Sequence, residues 1–209
     1  MKTALLISSM IFLTMPQSPA GPDSRPVIVA FGDSLTAGYG VQPAEAYPAR
    51  LQRKLNDQGY SYRVVNMGIS GDTTSGGRSR IRAALEQKPS IVLLELGAND
   101  GLRGLPTAQM QANLESMIQD FQKGGAKVIL AGMTLPRNYG EAYVTSFENV
   151  FRDLSKKYSV TLIPFLLDGV AGNPKYTLDD LIHPNAQGYS RVTDIVMKTL
   201  EPLLKRTSR

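Results

Sequence analysis

The chain has 209 residues and a formal net charge of +5, and its 42% hydrophobic and 20% charged residues are typical of a globular protein. It has no cysteine and a single histidine, His183. This excludes a thiol nucleophile, a disulfide scaffold and a metal site built from several histidines or thiolates. The basic residues form no continuous block, so we expect no nucleic-acid partner and at most a transient contact with a membrane surface.

The N-terminus has the pattern of a secretory signal peptide. A run of twelve mostly apolar residues, Ala4 to Met15, follows a basic start, and Ser18 and Ala20 supply the small residues that precede a cleavage site. A run of twelve is short for a membrane span of about 20 residues, so we favour cleavage over an uncleaved anchor. We predict a signal peptide over 1–20, one domain over 21–209, and a periplasmic or secreted location.

From residue 27 onward, short apolar or β-branched runs alternate with amphipathic stretches, as in a parallel sheet wrapped by helices. The predicted strands are Val27–Phe31, Tyr62–Asn66, Ile91–Leu96, Lys127–Ala131 and Val160–Ile163. The predicted helices span 47–58, 75–87, 107–123, 141–157 and 185–203. These elements predict a single doubly wound α/β domain, a three-layer α/β/α sandwich on a five-stranded parallel sheet with flavodoxin-like strand order.

Small and polar residues follow three of the predicted strands and precede the last helix. In an open parallel sheet the ligand crevice lies outside the carboxyl ends of the strands, so these are the residues where a site is expected. The four blocks are Gly32-Asp33-Ser34-Leu35, Ile69-Ser70-Gly71-Asp72, Gly97-Ala98-Asn99-Asp100 and Asp180-Leu181-Ile182-His183.

These blocks contain the parts of a serine nucleophile mechanism. A serine needs a base, and the only imidazole is that of His183, with Asp179 or Asp180 to orient its ring. We favour Asp180, because its spacing from the histidine suits a tight loop. The Gly71 N–H and the Asn99 amide are candidate donors to an oxyanion. Each residue alone also fits a capping or turn role, so the argument rests on their joint occurrence.

In order and spacing, the four blocks resemble the SGNH or GDSL hydrolases over nearly the whole chain. The resemblance implies Ser34 as nucleophile, His183 as general base and then acid, and Asp180 as the residue that orients the ring. It also implies an oxyanion hole formed by the Ser34 and Gly71 N–H groups and the Asn99 side chain. It implies no metal and no organic cofactor.

The implied function is a serine esterase for carboxylic esters and thioesters of acyl chains, including lysophospholipids, acting through an acyl-enzyme. We therefore expect a monomer with a small-molecule acyl substrate and an apolar pocket. Candidates for the pocket wall lie in loops beyond strand ends, where ordinary loop packing is an equal explanation. They are Ile69, Leu102, Leu105, Leu135, Tyr139 and Ile182.

Two other functions are compatible with the same sheet edge. The first is a metal-dependent phosphoesterase, whose cation ligands would be Asp33, Asp72, Asp100, Asp180 and His183. The second is a binding module without catalysis, in which Ser34 and Asn99 only hydrogen-bond a ligand. Neither explains why Ser, Gly, Asn and the Asp-x-x-His sequence occur together.

Overall fold

The computed structural model describes residues 23–206. Its parallel strands are β1 (Val27–Gly32), β2 (Arg63–Gly68), β3 (Pro89–Glu95), β4 (Lys127–Ala131) and β5 (Thr161–Ile163). They form one sheet in the order β2-β1-β3-β4-β5. The predicted α/β fold and flavodoxin-like strand order are confirmed. The signal peptide predicted over 1–20 lies outside the described residues.

Eight α-helices in residues 23–206 cover the sheet. They are α1 (Ser34–Ala37), α2 (Tyr47–Asp57), α3 (Thr74–Ser79), α4 (Ile81–Glu86), α5 (Ala98–Leu102), α6 (Thr107–Lys123), α7 (Glu141–Tyr158) and α8 (Ala186–Leu200). Short 3-10 helices span Pro43–Glu45, Arg137–Tyr139 and Glu201–Leu203. Helix α2 packs on α8, and α6 packs on both α3 and α7, which gives the outer layers of the sandwich. No helix within 23–206 is both long and apolar enough to cross a membrane.

The central strands are mainly apolar because helices cover both faces. Every residue of β1 is buried, and so are six of the seven residues of β3. The edge strand β2 has no fully buried residue. The hydrophobic core therefore sits on β1, β3 and β4, and the loops that leave their carboxyl ends start from a rigid base.

One predicted helix is wrong. The prediction of a single helix over 75–87 fails at Arg80, whose backbone (φ −111°, ψ 9°) separates α3 from α4. Gly77 allows a close approach there, since a Cβ on it would lie 2.2 Å from the Leu96 side chain. The Arg80 side chain is held by hydrogen bonds outside the helix, so tertiary contacts override the helical periodicity.

The sheet register brings the polar blocks together. Gly32, at the end of β1, is level with Gly68 on β2 and with Glu95 on β3. Gly68 has to be a glycine because a Cβ there would lie 2.1 Å from the backbone nitrogen of Ala37 in α1. The loops after β1, β2 and β3 therefore leave the sheet side by side.

Candidate active site

Ser34 is the first residue of α1, directly after β1. Asp33 caps this short helix, because its Oδ1 accepts a hydrogen bond from the Leu35 N–H at 3.0 Å. Gly38 ends the helix in the left-handed conformation (φ 86°), and its N–H donates to the Ser34 carbonyl at 3.0 Å. This tight strand-to-helix turn leaves the Ser34 side chain half-buried at the carboxyl edge of the sheet.

Ser34, His183 and Asp180 form a continuous hydrogen-bonded chain. The Ser34 Oγ lies 2.9 Å from Nε2 of His183, and Nδ1 of the same ring lies 2.6 Å from Asp180 Oδ2. Because an ionised carboxylate only accepts, Asp180 favours the tautomer with hydrogen on Nδ1. This leaves Nε2 free to accept the Ser34 proton.

The loop that carries Asp180 and His183 is built around the aspartate. Asp180 Oδ1 accepts from the backbone N–H groups of Ile182 and His183, both at 2.9 Å. Leu181, which lies between Asp180 and Ile182, has a positive φ of 58°. This conformation is uncommon for a leucine, and the surrounding hydrogen bonds hold it in place. Although partial burial opposes ionisation, the hydrogen bonds from the His183 ring and the two N–H groups lower the pKa of Asp180.

The other candidate donors lie at the same edge. Within residues 23–206 the Ser34 and Gly71 N–H groups donate to no protein acceptor. The Asn99 Nδ2 donates to Asp33 Oδ2 and to the Asp72 carbonyl, both at 3.0 Å. The Asn99 amide is therefore held between the block after β1 and the block after β2.

A buried pair of acids lies beneath the Ser34 turn. Glu95 is fully buried at the end of β3, and its Oε2 accepts from the Asp33 N–H at 3.2 Å and from Thr36 Oγ1 at 2.8 Å. Burial, followed by the nearby Asp33 charge, raises the pKa of Glu95 well above its ordinary value. Burial also raises the pKa of Asp33 to about 6.

Arg80 ties together three segments of the site. Its Nε pairs with Asp72 Oδ2 at 2.7 Å, and its two terminal nitrogens donate to the carbonyls of Met67 at 2.7 Å and Gly32 at 2.9 Å. The guanidinium also lies 3.9 Å from the ring centroid of Phe31. Arg80 therefore fixes the ends of β1 and β2 relative to the loop that contains Gly71.

A cavity of about 640 Å³ opens beside Ser34 and His183. Asn99 and Asp180 also line it, and its apolar wall consists mainly of Leu102, Met133, Leu135, Phe165, Leu167 and Ile182. This size and composition are typical of a small-molecule site.

Three of the six residues predicted to form the pocket wall line the cavity, and three do not. Leu102, Leu135 and Ile182 line the cavity, whereas Ile69, Leu105 and Tyr139 lie outside its lining. Ile69 and Leu105 are 52% and 39% exposed. The Tyr139 hydroxyl donates to the Leu102 carbonyl at 2.9 Å, so Tyr139 holds the backbone of a lining residue.

The structure does not bring together the five residues that would bind a cation in a metal-dependent phosphoesterase. Asp72 pairs with Arg80, Asp100 accepts from the backbone and hydroxyl of Thr74, and Asp180 binds the His183 ring. Within residues 23–206 no group of three or more His, Cys, Asp or Glu side chains is arranged to hold a metal ion.

Comparison with known proteins identifies the family of the chain. The sequence model of the GDSL-like lipase/acylhydrolase family matches residues 30–191. The chain belongs to the GDSL-like lipase/acylhydrolase family. Esterase TesA of Pseudomonas aeruginosa is 43% identical to it over 202 residues, which are 96% of this chain and 99% of that protein. Thioesterase 1/protease 1/lysophospholipase L1 of Escherichia coli K12 is 38% identical over 182 residues, 87% of this chain and 86% of that protein.

The fold of this GDSL-like hydrolase is also found in solved structures. A crystal structure of TesA matches with a TM-score of 0.83 and 45% identity, covering 85% of this chain and 99% of that one. The predicted membership of the SGNH or GDSL hydrolases is confirmed, and with it the predicted class of enzyme, an ester hydrolase.

Three residues of this GDSL-like hydrolase site are absent from the sequence prediction. Tyr39 packs on the His183 ring with centroids 4.6 Å apart, Glu95 lies beneath the Ser34 turn, and Arg80 braces the loops. Glu95 carried a signal that could have been used, because it is the one charged residue in the apolar run of β3. Tyr39 and Arg80 carried none, since their partners are distant in sequence or depend on loop conformation.

Proposed function

We propose that this chain hydrolyses carboxylic esters and thioesters of acyl chains, including those of lysophospholipids, through an acyl-enzyme on Ser34. The single observation that carries the proposal is that Ser34, His183 and Asp180 form a hydrogen-bonded chain in the wall of an apolar cavity. The names of the two relatives, an esterase and a thioesterase/lysophospholipase, support the same substrate range.

In the first half-reaction Ser34 Oγ attacks the carbonyl carbon while its proton moves to Nε2 of His183. Asp180 keeps the ring oriented and stabilises the imidazolium that forms. His183 then gives this proton to the leaving alcohol or thiol as the bond from the acyl carbon breaks. In the second half-reaction water attacks the acyl-enzyme, His183 takes its proton, and Ser34 Oγ leaves with that proton as the carboxylic acid forms.

The negative charge on the former carbonyl oxygen needs donors that are already in place. The Ser34 and Gly71 N–H groups are free for this purpose among the described residues. Asn99 differs, because both of its amide hydrogens already have acceptors in Asp33 and Asp72. Its hydrogen bond to the oxyanion therefore replaces or shares one of these, and the two acceptors hold the amide in place until then.

The acyl chain occupies the apolar cavity in this proposal. Leu102, Leu135 and Ile182 line the same cavity as Ser34, so they contact the carbon chain in this proposal. The leaving group then lies towards the exposed side of the site. A chain bound in this way loses its contact with water, which is the main source of affinity for an acyl group.

We also propose that the protein acts in the periplasm or outside the cell as a monomer, after removal of residues 1–20. The basic start, the apolar run and the small residues before position 21 support this location. On this proposal the remaining domain, 21–209, carries the whole site.

The test is a series of aryl esters and acyl thioesters of increasing chain length, assayed in EDTA. The proposal expects kcat/KM to rise with chain length until the cavity is filled, and it expects no loss of activity in EDTA. A matched Ser34→Ala variant should abolish turnover of esters and thioesters alike. Turnover that depends on added metal, or a preference for phosphoesters, would contradict the proposal.

A further inference from the structure

The side chain of His183 is held mainly by polar contacts at its two nitrogens. It is 22% exposed, so the hydrophobic core does not enclose it. Nε2 of the ring lies 2.9 Å from Ser34 Oγ, and Nδ1 lies 2.6 Å from Asp180 Oδ2. One aromatic contact adds to these hydrogen bonds: the ring centroids of Tyr39 and His183 are 4.6 Å apart, with an angle of 47° between the ring planes.

The segment that carries Tyr39 is anchored to the turn of the nucleophile. Tyr39 directly follows Gly38, the residue that ends α1, and the Tyr39 N–H donates to the Ser34 carbonyl at 3.0 Å. Its side chain is 52% exposed, so the ring contributes little to the core. Tyr39 therefore contacts the nucleophile turn with its backbone and the base with its side chain.

The next residue lies against the loop that carries the base. Gly40 has a φ of 76°, and a Cβ on it would lie 2.3 Å from Cδ1 of Leu178. The Leu178 N–H in turn donates to the His183 carbonyl at 2.8 Å. The backbone of Tyr39 and Gly40 is therefore held close to the loop that positions His183.

The contacts of the His183 ring change during the proposed reaction. In the free enzyme Ser34 and Asp180 hold the ring at both nitrogens. When an acyl group is bonded to Ser34 Oγ, this oxygen has no hydrogen to donate, so Nε2 loses its partner. Nε2 must nevertheless keep its position, because it accepts the proton of the water that attacks the acyl-enzyme.

We propose that Tyr39 is a positioning residue that holds the His183 ring in place while Ser34 is acylated, so that its loss slows deacylation more than acylation. Of the three partners described above, only Asp180 and Tyr39 still contact the ring in the acyl-enzyme. A single hydrogen bond at Nδ1 leaves the ring able to tilt, and an aromatic neighbour restricts this movement. The inference rests on the proposed acyl-enzyme mechanism and assigns a residue to its second half-reaction.

Pre-steady-state kinetics separates the two half-reactions. A p-nitrophenyl ester has a good leaving group, so nitrophenol is released in a burst on acylation and the later rate reports deacylation. Tyr39→Leu removes the aromatic ring but keeps an apolar side chain, whereas Tyr39→Phe keeps the ring. Val41→Ala is the control, because it shortens an apolar side chain of the same loop that packs on the core. Mass analysis of acid-quenched samples counts the acyl groups on Ser34.

We expect Tyr39→Leu to lower the deacylation rate constant about tenfold and the acylation rate constant less than about threefold, as the loss of one aromatic pair allows. Acyl-enzyme should then accumulate, and KM should fall together with kcat. Tyr39→Phe and Val41→Ala should stay within about twofold of the unmodified protein in both steps. Equal slowing of both steps, a rise in KM at constant kcat, or an equal loss in either of these two variants would overturn the proposal.

Failure of this inference differs from failure of the proposed function. If esters are hydrolysed but neither the unmodified protein nor any variant carries an acyl group on Ser34, the acyl-enzyme mechanism is contradicted, and the role of Tyr39 with it. If the acyl group forms on Ser34 and leaves at the same rate in the unmodified protein and in Tyr39→Leu, only the role of Tyr39 is overturned.

A second measurement needs no turnover. His183 is the only histidine in the chain, so NMR of the untagged protein shows one set of imidazole signals. Ser34→Ala removes the partner of Nε2, as acylation does. A cooperative unfolding transition would first show that each variant folds. We expect these signals to broaden, through exchange between ring orientations, only in Ser34→Ala/Tyr39→Leu. Narrow signals in this double variant, or equal broadening in Ser34→Ala alone, would overturn the positioning role.

Discussion

At the residue scale, the position of the His183 proton depends on Asp180. We expect Asp180→Asn to lower kcat by two to four orders of magnitude, because an amide can donate to Nδ1 and favour the wrong tautomer. KM should change little, since Asp180 does not hold the substrate. Steady-state kinetics on one aryl ester measures both constants. Asp179→Asn, an exposed neighbour, is the matched control, and an equal loss in both variants would contradict the assignment of Asp180.

Asn99 offers a second residue-scale test. We expect Asn99→Ala to lower kcat by about 10²-fold to 10³-fold, the usual cost of removing one oxyanion donor. The effect on KM should be small, because the negative charge develops only after Ser34 attacks. A loss confined to KM would show that the Asn99 amide binds the ground state. Asn56→Ala, at the exposed end of α2, serves as the control.

Glu95 should make stability depend on pH. Its pKa in the folded protein lies above the ordinary value of 4.5, so folding takes up a proton. The free energy of unfolding should then be greatest below about pH 4.5 with respect to this group, and should decrease as the pH rises towards the folded-state pKa.

Glu95→Gln should remove this dependence, because the amide stays neutral. Urea unfolding at pH 5 and pH 8 measures it: the unmodified protein should lose more stability over this interval than the variant does. Equal losses in both proteins would contradict the account of Glu95. The pKa of Asp33, raised to about 6, also makes stability fall as the pH rises. Because Asp33 is present in both proteins, its contribution cancels in part when the two losses are compared.

At the element scale, Arg80 links the ends of β1 and β2 to the loop that carries Gly71. We expect Arg80→Lys to lower kcat about tenfold with little change in KM, because one ammonium group cannot satisfy three separated acceptors. Arg80→Met should also destabilise the fold by about 2 kcal/mol, since Asp72 loses its partner.

The readout that separates positioning from stability is rescue by added guanidinium. Low concentrations should restore part of the kcat of Arg80→Met, whereas a purely structural loss would not be restored. Arg82→Met is the control, because Arg82 is exposed and pairs only with Glu86 on its own helix. An unchanged kcat in Arg80→Lys would show that the loops keep their positions without the forked side chain.

The elements also show which parts of the fold were predictable. The central strands β1 and β3 are apolar runs because both faces are buried, so their positions follow from the sequence within one or two residues. The break at Arg80 was not predictable, because it depends on hydrogen bonds to Asp72, Met67 and Gly32 that only the folded chain brings together.

At the scale of the whole molecule, the candidate site could be predicted because its parts lie in blocks at strand ends. Ser34 and His183 are separated by 149 residues, and only the order of the strands brings them within 2.9 Å. The pocket wall was harder to predict, because loops follow no periodicity. Ile69 and Leu105 are apolar residues beyond strand ends like Leu102, but their loops direct them outwards to solvent and not into the cavity.

In the proposed mechanism, the loops at the carboxyl edge of the sheet activate one serine, Ser34. The direct measurement is mass analysis of the purified protein after incubation with an alkyl fluorophosphonate in EDTA, followed by peptide mapping. We expect one adduct, on Ser34, and no adduct in His183→Ala, because the hydroxyl then lacks its base. No adduct on Ser34, together with esterase activity that requires a metal ion, would contradict the account.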